Sequence, residues 1–525
     1  MDNTIDHSKT GCDIRPMAQE GSSSQPCKSN PLSDFTAYLY EKENAPYISP
    51  TPGEFPIIAY NPFPAKENTK VELVDEVMEC GFNVGVLYNK DLVMGDALRV
   101  SAQRGFKMII AVPTQTFWKE LPKTEFDKYG NEVPIDYTKI PLEGKHLEDY
   151  ESYCRDFFNE WRRFVSNEKY DSVTDKVYDL LFRKSPALGC WSIQDEPIYN
   201  FLSSLGANYE SLRSLDTSHM FYTNLVGSTS EAQYCGSELQ NKPYIRYLEL
   251  IQETMRPPVW SYDLYPMRKY YKNNAWVWGI MFKEFYEALE AASRIAMLTH
   301  RPFWAFCQSA EYITLYSSTT KDDLDEICQE GKCKFMCPPA TLEYLRYEAF
   351  SALAYGAQGI CYWTYWLTPG SAKEMHPSAL VDNNGVKSES WYYAKQVNGE
   401  IKALTDVFLG CTLMRVRHTG NDASINSVTC PLTSAEPMWP LESASSSGNG
   451  LLVSHLSNKG RDYLVIVSHD PLNSQAVSLK FHNHWIVRTV NPIAEVKKFT
   501  KSDDGTRTVY SGTLPAGGYI VFEWS

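Results

Sequence analysis

Residues 189–197 read Gly189-Cys190-Trp191-Ser192-Ile193-Gln194-Asp195-Glu196-Pro197, a short apolar run that ends in two adjacent acids and a proline. A run of this length between a glycine and a proline predicts a buried β-strand. In a parallel α/β barrel, the residues that end such a strand lie where active sites form. The same ending also suits a strand-to-helix turn, with Asp195 as the N-cap and Pro197 in the first helical position.

Seven other apolar runs alternate with segments of helical periodicity, and glycines precede strands at Gly81, Gly105, Gly189 and Gly359. The runs are continuously apolar, as strands covered on both faces are. Eight strands alternating with helices predict an α/β fold, a closed (β/α)8 TIM barrel. The rival, an open doubly wound sheet, would carry a glycine-rich phosphate loop after its first strand, and this chain has none. The predicted strands are the 189–197 run and residues 55–60, 84–88, 108–113, 221–225, 258–263, 302–308 and 360–365.

The pattern changes on either side of the barrel. Residues 1–54 are expected to be a polar N-terminal tail followed by a segment that packs on the next unit, and residues 55–410 form the barrel. From 411 to 525 short strands are separated by turn residues, which predicts a small antiparallel β-sandwich. Two insertions, about 114–145 and 314–340, are expected to shape substrate subsites.

Charge and hydropathy exclude several partners. The 525 residues carry a formal net charge of −14, whereas nucleic acids and anionic membranes require a basic surface. No apolar run is long enough to span a bilayer. Residues 1–7 lack a charged-then-apolar leader, so a cytoplasmic location is the default expectation unless a leader has been removed.

The chain has 13 cysteines, and most lie inside apolar segments, where a reduced thiol that fills the core is expected. Cys328, Cys333 and Cys337 lie close together in one loop. A disulfide or a metal site is conceivable there, but the spacing matches no standard zinc pattern and no histidine is near. We therefore predict neither a metal nor a cofactor.

Polar and aromatic residues collect at the ends of the predicted strands, with almost no Lys, Arg or His. Phosphate or carboxylate substrates would require cations, and metals would require histidines or clustered acids. Aromatic platforms, amides and paired carboxylates suit neutral polyhydroxy rings. The candidate substrate-binding residues are Tyr60, Asn61, Tyr88, Asp195, Asn224, Tyr262, Tyr265, Gln308, Trp363, Tyr365 and Trp366, and the candidate acids are Glu196, Asp263 and Glu311.

Taken together, the barrel, the Glu-Pro after strand four, the Tyr-Asp-Leu-Tyr-Pro segment after strand six and the Trp-containing strand eight resemble the clan A glycoside hydrolases, of the β-galactosidase and β-glucanase type. The resemblance covers residues 55 to about 400, and the sandwich loosely. It implies that Glu196 is the general acid/base. In the clan the preceding residue is usually an asparagine that binds the sugar 2-hydroxyl, and here it is Asp195.

The clan also implies a glutamate nucleophile at the end of strand seven, where this chain has Gln308. Either strand seven extends as far as Glu311, or Asp263 on strand six is the second carboxylate; each could also be an ordinary loop or structural acid. The expected function is cleavage of O-glycosidic bonds in a neutral oligo- or polysaccharide by a retaining two-carboxylate mechanism. The alternatives are a non-catalytic carbohydrate-binding barrel and an unrelated barrel enzyme such as a lyase or aldolase, which would require a strand-end lysine or metal ligands.

Overall fold

The structure, a computed structural model, describes residues 45–64, 69–88, 91–111, 124–126, 132–134, 185–197, 216–227, 243–316, 324–370, 374–433, 438–482, 487–490, 495–502 and 505–524, and a few single positions between 199 and 213. The predicted polar tail and most of the 114–145 insertion lie outside the described residues. Within these ranges, no helix combines the length and the apolar content that crossing a membrane requires.

The strands, in chain order, are β1 (Ile57–Tyr60), β2 (Val84–Leu87), β3 (Lys107–Ala111), β4 (Thr124–Phe126), β5 (Glu132–Pro134), β6 (Leu188–Asp195), β7 (Met220–Val226), β8 (Trp260–Asp263), β9 (Lys269–Lys272), β10 (Ala275–Trp278), β11 (Phe303–Gln308), β12 (Glu311–Leu315), β13 (Cys333–Cys337), β14 (Ile360–Trp363), β15 (Glu374–Ser378), β16 (Thr412–His418), β17 (Leu441–Ser446), β18 (Leu451–Asn458), β19 (Arg461–Ser468), β20 (Gln475–His482), β21 (Val487–Val490), β22 (Glu495–Lys501), β23 (Arg507–Leu514) and β24 (Tyr519–Trp524). The described helices are α1 (Val71–Glu79), α2 (Asp91–Ala102), α3 (Pro243–Thr254), α4 (Phe282–Thr299), α5 (Leu324–Gln329), α6 (Leu342–Ala354), α7 (Glu389–Ala403), α8 (Thr405–Phe408) and α9 (Ala423–Asn426).

Eight parallel strands close into a barrel in the order β1–β14–β11–β8–β7–β6–β3–β2, which confirms the predicted (β/α)8 fold. Alternate side chains of each strand face two different cores. Ile58, Ile109 and Trp304 pack inside the barrel, whereas Ile57 and Ile110 pack against the surrounding helices. Gly359 allows β14 to approach Trp304, since a Cβ there would lie 2.5 Å from the indole ring.

A second sheet is built from the connections at the carboxyl end of the barrel. Strands β9 and β10 follow β8, β12 and β13 follow β11, and β15 follows β14, and together they form one five-stranded sheet in the order β10–β9–β13–β12–β15. We call it the mouth sheet. Its strands pair in antiparallel fashion, so each barrel connection is fixed by the others.

The cysteine cluster lies in this region. Cys328 and Cys333 form a disulfide, and Cys337 on β13 is a buried free thiol. Cys80, Cys190, Cys307 and Cys361 are buried free thiols, and all four fill the core as predicted.

The C-terminal strands form the predicted antiparallel β-sandwich. One sheet has the order β16–β18–β19–β24–β21 and the other β17–β20–β23–β22. Their facing side chains, such as Leu451, Leu464, Leu479 and Phe522, form a separate core. The barrel and sandwich meet at α6, where the Phe350 ring stacks on Tyr519 with centroids 3.4 Å apart. The exact limits at residues 54 and 410 remain predictions.

Candidate active site

A cavity of about 310 Å³ opens at the carboxyl end of the barrel strands. Seven of the residues predicted for the site line it, and they come from the ends of five different barrel strands or from the residues that follow them. They are Tyr60, Asp195, Glu196, Asn224, Asp263, Tyr265 and Trp363. Residues distant in sequence therefore meet because parallel strands end at a common edge.

The carboxyl groups of Glu196 and Asp263 are hydrogen-bonded to each other at the bottom of this cavity. Glu196 directly follows β6 and has a positive φ of 46°, and its backbone N–H donates to the Asn224 carbonyl at 3.0 Å. Burial raises the pKa of Asp263 well above its usual value, and the charges of Glu196 and Asp195 raise that pKa further. Two carboxyl groups this close cannot both be ionised at low cost, so the pair favours sharing one proton.

Asp195 lies beside the pair and is held from two sides. The Tyr60 hydroxyl donates to its Oδ2 at 2.6 Å, and the Asn224 side chain also hydrogen-bonds to it. Asn224 is oriented in turn by Ser261, whose hydroxyl donates to Oδ1 of Asn224 at 3.0 Å. Burial raises the pKa of Asp195, and its hydrogen bonds partly oppose that rise. Its buried Oδ1 has no hydrogen-bond partner among the described residues, so it can accept from a bound molecule.

Aromatic rings form the walls of the cavity. Tyr265 and Trp363 are stacked, with centroids 6.1 Å apart and planes 30° apart, and Tyr312 meets Trp363 edge-on at 5.3 Å. Tyr60 is stacked on Tyr88 at 5.5 Å. The Tyr88 hydroxyl is hydrogen-bonded to Ser192 below the cavity, so Tyr88 supports Tyr60 instead of lining the cavity itself.

Gln308 ends β11, but its amide is not presented to the cavity. The side chain is 2% exposed, and its Nε2 donates to the carbonyl oxygens of Ala310 at 3.1 Å and Pro338 at 2.5 Å. Its backbone N–H donates to the Glu348 carboxyl at 2.7 Å. The residue therefore closes the end of strand seven through hydrogen bonds within the protein.

Glu311 is the first residue of β12 and lies on the mouth sheet outside the cavity lining. It is half-buried, it accepts a hydrogen bond from the Ser378 hydroxyl at 3.1 Å, and burial raises its pKa. Of the three predicted catalytic acids, the structure thus brings Glu196 and Asp263 together and leaves Glu311 apart.

Four predicted substrate-binding residues serve the packing of the barrel. Tyr262, Tyr365 and Trp366 belong to the core outside the barrel strands. Tyr262 alternates with Asp263 and therefore faces away from the site. The Tyr365 hydroxyl accepts from the Trp391 indole at 3.0 Å, and the Asn61 carbonyl accepts from the Trp366 backbone at 3.1 Å.

Four charged or aromatic residues that line the cavity were not predicted from the sequence: Arg268, Phe306, Tyr312 and Glu374. Phe306 could have been found, since it lies two residues after Trp304 and shares its inward face. The other three come from the mouth sheet or its edge, whose strands are far apart in sequence. In the described part of the chain, no group of three or more His, Cys, Asp or Glu residues could hold a metal ion.

No protein-family model matches the chain, and no curated protein matches it by sequence. Similar solved structures include a GH42 beta-galactosidase from G. stearothermophilus, 10% identical, with a TM-score of 0.47 over 91% of this chain and 100% of that one. A beta-galactosidase from Marinomonas ef1 is 11% identical, with a TM-score of 0.41, and the match spans 67% of this chain and only 60% of that one. The glycoside hydrolase family 5 mannosidase from Rhizomucor miehei is 9% identical, with a TM-score of 0.38 over 68% of this chain and 93% of that one. The similar structures are thus TIM-barrel glycosidases of the group that the sequence resembles, and at these values the similarity concerns the fold alone.

Proposed function

We propose that the chain is a glycoside hydrolase in which Glu196 and Asp263 are the two catalytic carboxyl groups. The observation that supports this is the hydrogen-bonded pair itself, since it lies in a cavity walled by flat rings at the end of a closed barrel. Glycosidases use two carboxyl groups that flank the scissile bond, one protonated and one ionised. Environments that separate the pKa values of two neighbouring acids indicate such roles.

The raised pKa of Asp263 is the basis for assigning the roles of acid/base and nucleophile. Because burial and the neighbouring charges raise the pKa of Asp263, we assign the shared proton to Asp263, which then donates it to the leaving oxygen while the Glu196 carboxylate attacks the anomeric carbon. The bond to the leaving group breaks as the glycosyl–Glu196 ester forms. Asp263, now ionised, then takes a proton from water, whose oxygen displaces Glu196 and releases the sugar. This assignment reverses the acid/base role that the resemblance gives to Glu196.

The direct contact between the two carboxyl groups favours a retaining over an inverting reaction. Inverting enzymes hold their carboxyl groups roughly 6.5–9.5 Å apart to admit a water molecule, whereas retaining enzymes hold them about 5–5.5 Å apart. Hydrogen-bonded carboxyl groups leave no room for water between them. Oδ1 of Asp195 has no hydrogen-bond partner among the described residues, so it is suited to accept a hydrogen bond from a hydroxyl of the sugar.

Rescue with azide tests the roles. In Glu196→Ala, azide should replace the attacking carboxylate and give a glycosyl azide of inverted anomeric configuration. In Asp263→Ala, azide should attack the glycosyl–enzyme and give the retained configuration, and substrates with good leaving groups should react fastest. NMR of the products from 4-nitrophenyl glycosides distinguishes the two outcomes. We expect each variant alone to lose about 10²–10⁴-fold in kcat.

Glu311→Gln is the matched control, because Glu311 was the other candidate acid and lies outside the cavity. We expect its kcat to stay within about twofold of the wild type, since its carboxyl does not line the cavity and glutamine can still accept the hydrogen bond from Ser378. A loss of activity in Glu311→Gln together with normal activity in Asp263→Ala would overturn the assignment. Exchanged azide configurations would return the acid/base role to Glu196.

The second candidate function is non-catalytic carbohydrate binding. It is favoured by Gln308 at the end of strand seven, where a carboxylate nucleophile is expected from the resemblance. Activated 2-fluoro glycosides of several sugars separate the two possibilities, since they label the nucleophile of a retaining enzyme. Covalent attachment to Glu196, located by peptide mass spectrometry, supports hydrolysis; sugar binding without labelling or turnover supports the binding protein.

A further inference from the structure

The cavity contains one cation among its described lining residues, and the proposed reaction does not use it. Arg268 lies five residues after Asp263, directly before β9, and lines the cavity with Asp195, Glu196 and Asp263. Its guanidinium carbon lies 4.1 Å above the centre of the Phe335 ring. The Arg268 side chain also hydrogen-bonds to the thiol of Cys337. The guanidinium is therefore held in place by residues of β13, the strand next to β9 in the mouth sheet.

Arg268 makes no ion pair with any of the described carboxylates. Glu374, which lines the same cavity, lies 3.2 Å from the His376 ring instead. Nε of Arg268 is buried and has no acceptor among the described residues. A buried donor without an acceptor is costly, and a guanidinium binds a carboxylate most strongly in direct contact. An anion that entered the cavity beside Arg268 would supply both the acceptor and that contact.

We propose that Arg268 binds the carboxylate of a uronic acid residue, so that the substrate of the proposed glycosidase is an acidic saccharide. The inference rests on the proposed function and sharpens its substrate class, which the sequence alone predicted to be neutral. The planar fork of a guanidinium matches the two oxygens of a carboxylate. Tyr265 and Trp363 line the same cavity as Arg268 and the acid pair and offer a flat surface for the sugar ring.

Matched pairs of 4-nitrophenyl glycosides test the proposal. The pairs are glucoside with glucuronide and galactoside with galacturonide, each as both anomers. For the anomer that the wild-type protein cleaves, we expect kcat/KM to be at least about tenfold higher for the uronide than for its neutral partner, since hydrogen bonds to charged groups discriminate by this much or more. Arg268→Gln should bring that ratio close to one. Arg268→Lys should give an intermediate ratio, because it keeps the charge and loses the fork.

Arg104→Gln is the control, since Arg104 forms an exposed ion pair with Asp75 outside the barrel, and its ratio should equal that of the wild type. The inference would be overturned if the wild-type protein preferred the neutral glycoside and Arg268→Gln left that preference unchanged, or if Arg268→Gln lowered kcat/KM equally for both substrates. In either case the proposed glycosidase activity would still hold. If no glycoside is cleaved, the proposed function fails, and calorimetric titration with glucuronate and glucose decides the rest. Selective glucuronate binding that Arg268→Gln abolishes would support the anion site, and its absence would overturn it.

Discussion

Gln308, the last residue of β11, has its side chain fixed by hydrogen bonds within the protein. Its amide donates to two backbone carbonyls, and its own N–H is held by the buried carboxyl of Glu348. Burial raises the pKa of the Glu348 carboxyl well above its usual value. Both groups that the Gln308 amide contacts through hydrogen bonds are backbone carbonyl oxygens, which accept and cannot donate.

Restoring a carboxylate at this position should not create a nucleophile. In Gln308→Glu the new group would face the carbonyl oxygens of Ala310 and Pro338, which offer no donor. We expect no gain in kcat and a loss of about 2–4 kcal/mol in the free energy of unfolding at pH 8, measured in urea. The loss should shrink at pH 4, where the new carboxyl is protonated. An active, equally stable variant would contradict this account.

The acids of the site were predictable from the sequence because strand ends can be recognised. Asp195 and Glu196 follow an apolar run directly, and Asp263 ends another. Gln308 was also noticed, but the direction in which its amide points depends on Pro338, thirty residues further along the chain. Arg268 was missed because nothing near it in sequence shows that β13 fixes it.

At the scale of elements, a buried chain of hydrogen bonds connects α4 with the sandwich. Glu290 accepts from the Tyr355 hydroxyl at 2.9 Å, Tyr355 contacts His418 at 2.8 Å, and His418 contacts His469 at 2.9 Å. Burial raises the pKa of Glu290 to about 7 and lowers that of His469 to about 3. Near neutral pH both imidazoles are therefore uncharged, and Glu290 is the group that titrates.

The hydrogen-bond series from Glu290 to His469 predicts how the free energy of unfolding depends on pH. The pKa of Glu290 is about 7 in the folded protein, against 4.5 for a free glutamate in the unfolded chain. The protonated group therefore contributes its full stabilisation below pH 4.5, and this contribution is lost as the pH rises to 7. Glu290→Gln cannot ionise, and its carbonyl can still accept from Tyr355. Relative to the wild type, the variant should gain up to about 3 kcal/mol in free energy of unfolding between pH 4.5 and pH 8.

Urea unfolding at the two pH values measures this difference directly. Glu72→Gln on α1 is the control, since its side chain is exposed and its effect should not change with pH. Equal effects of Glu290→Gln at both pH values would show that Glu290 does not titrate in this range.

The whole molecule joins barrel and sandwich through a shared core. Core residues of α6, such as Leu345 and Phe350, and sandwich residues such as Val465 and Tyr519 belong to one continuous cluster of buried side chains. The order of barrel and sandwich was predictable because their sequence patterns differ. The shared core could not be predicted, because the sequence patterns of both parts are apolar and neither pattern shows which face of the barrel packs against which face of the sandwich.

We therefore expect the two parts to unfold together. Phe350→Ala should cost about 3–5 kcal/mol, because it leaves a cavity against Tyr519. Tryptophan fluorescence and far-UV circular dichroism should report one coincident transition in urea for the variant and for the wild type. Tyr392→Ala, at a side chain that is 59% exposed, should change the unfolding free energy by less than about 0.5 kcal/mol. Separate transitions for the two probes would show that barrel and sandwich are independent.

The mouth sheet links three barrel connections that would otherwise vary one at a time. Because β9, β12, β13 and β15 share one ladder of backbone pairs, an insertion in any of these loops disturbs the alignment of the others. A change of substrate selectivity in this type of barrel should therefore require the joint replacement of all three loops. Grafting a single loop from a distant barrel should fail to transfer selectivity.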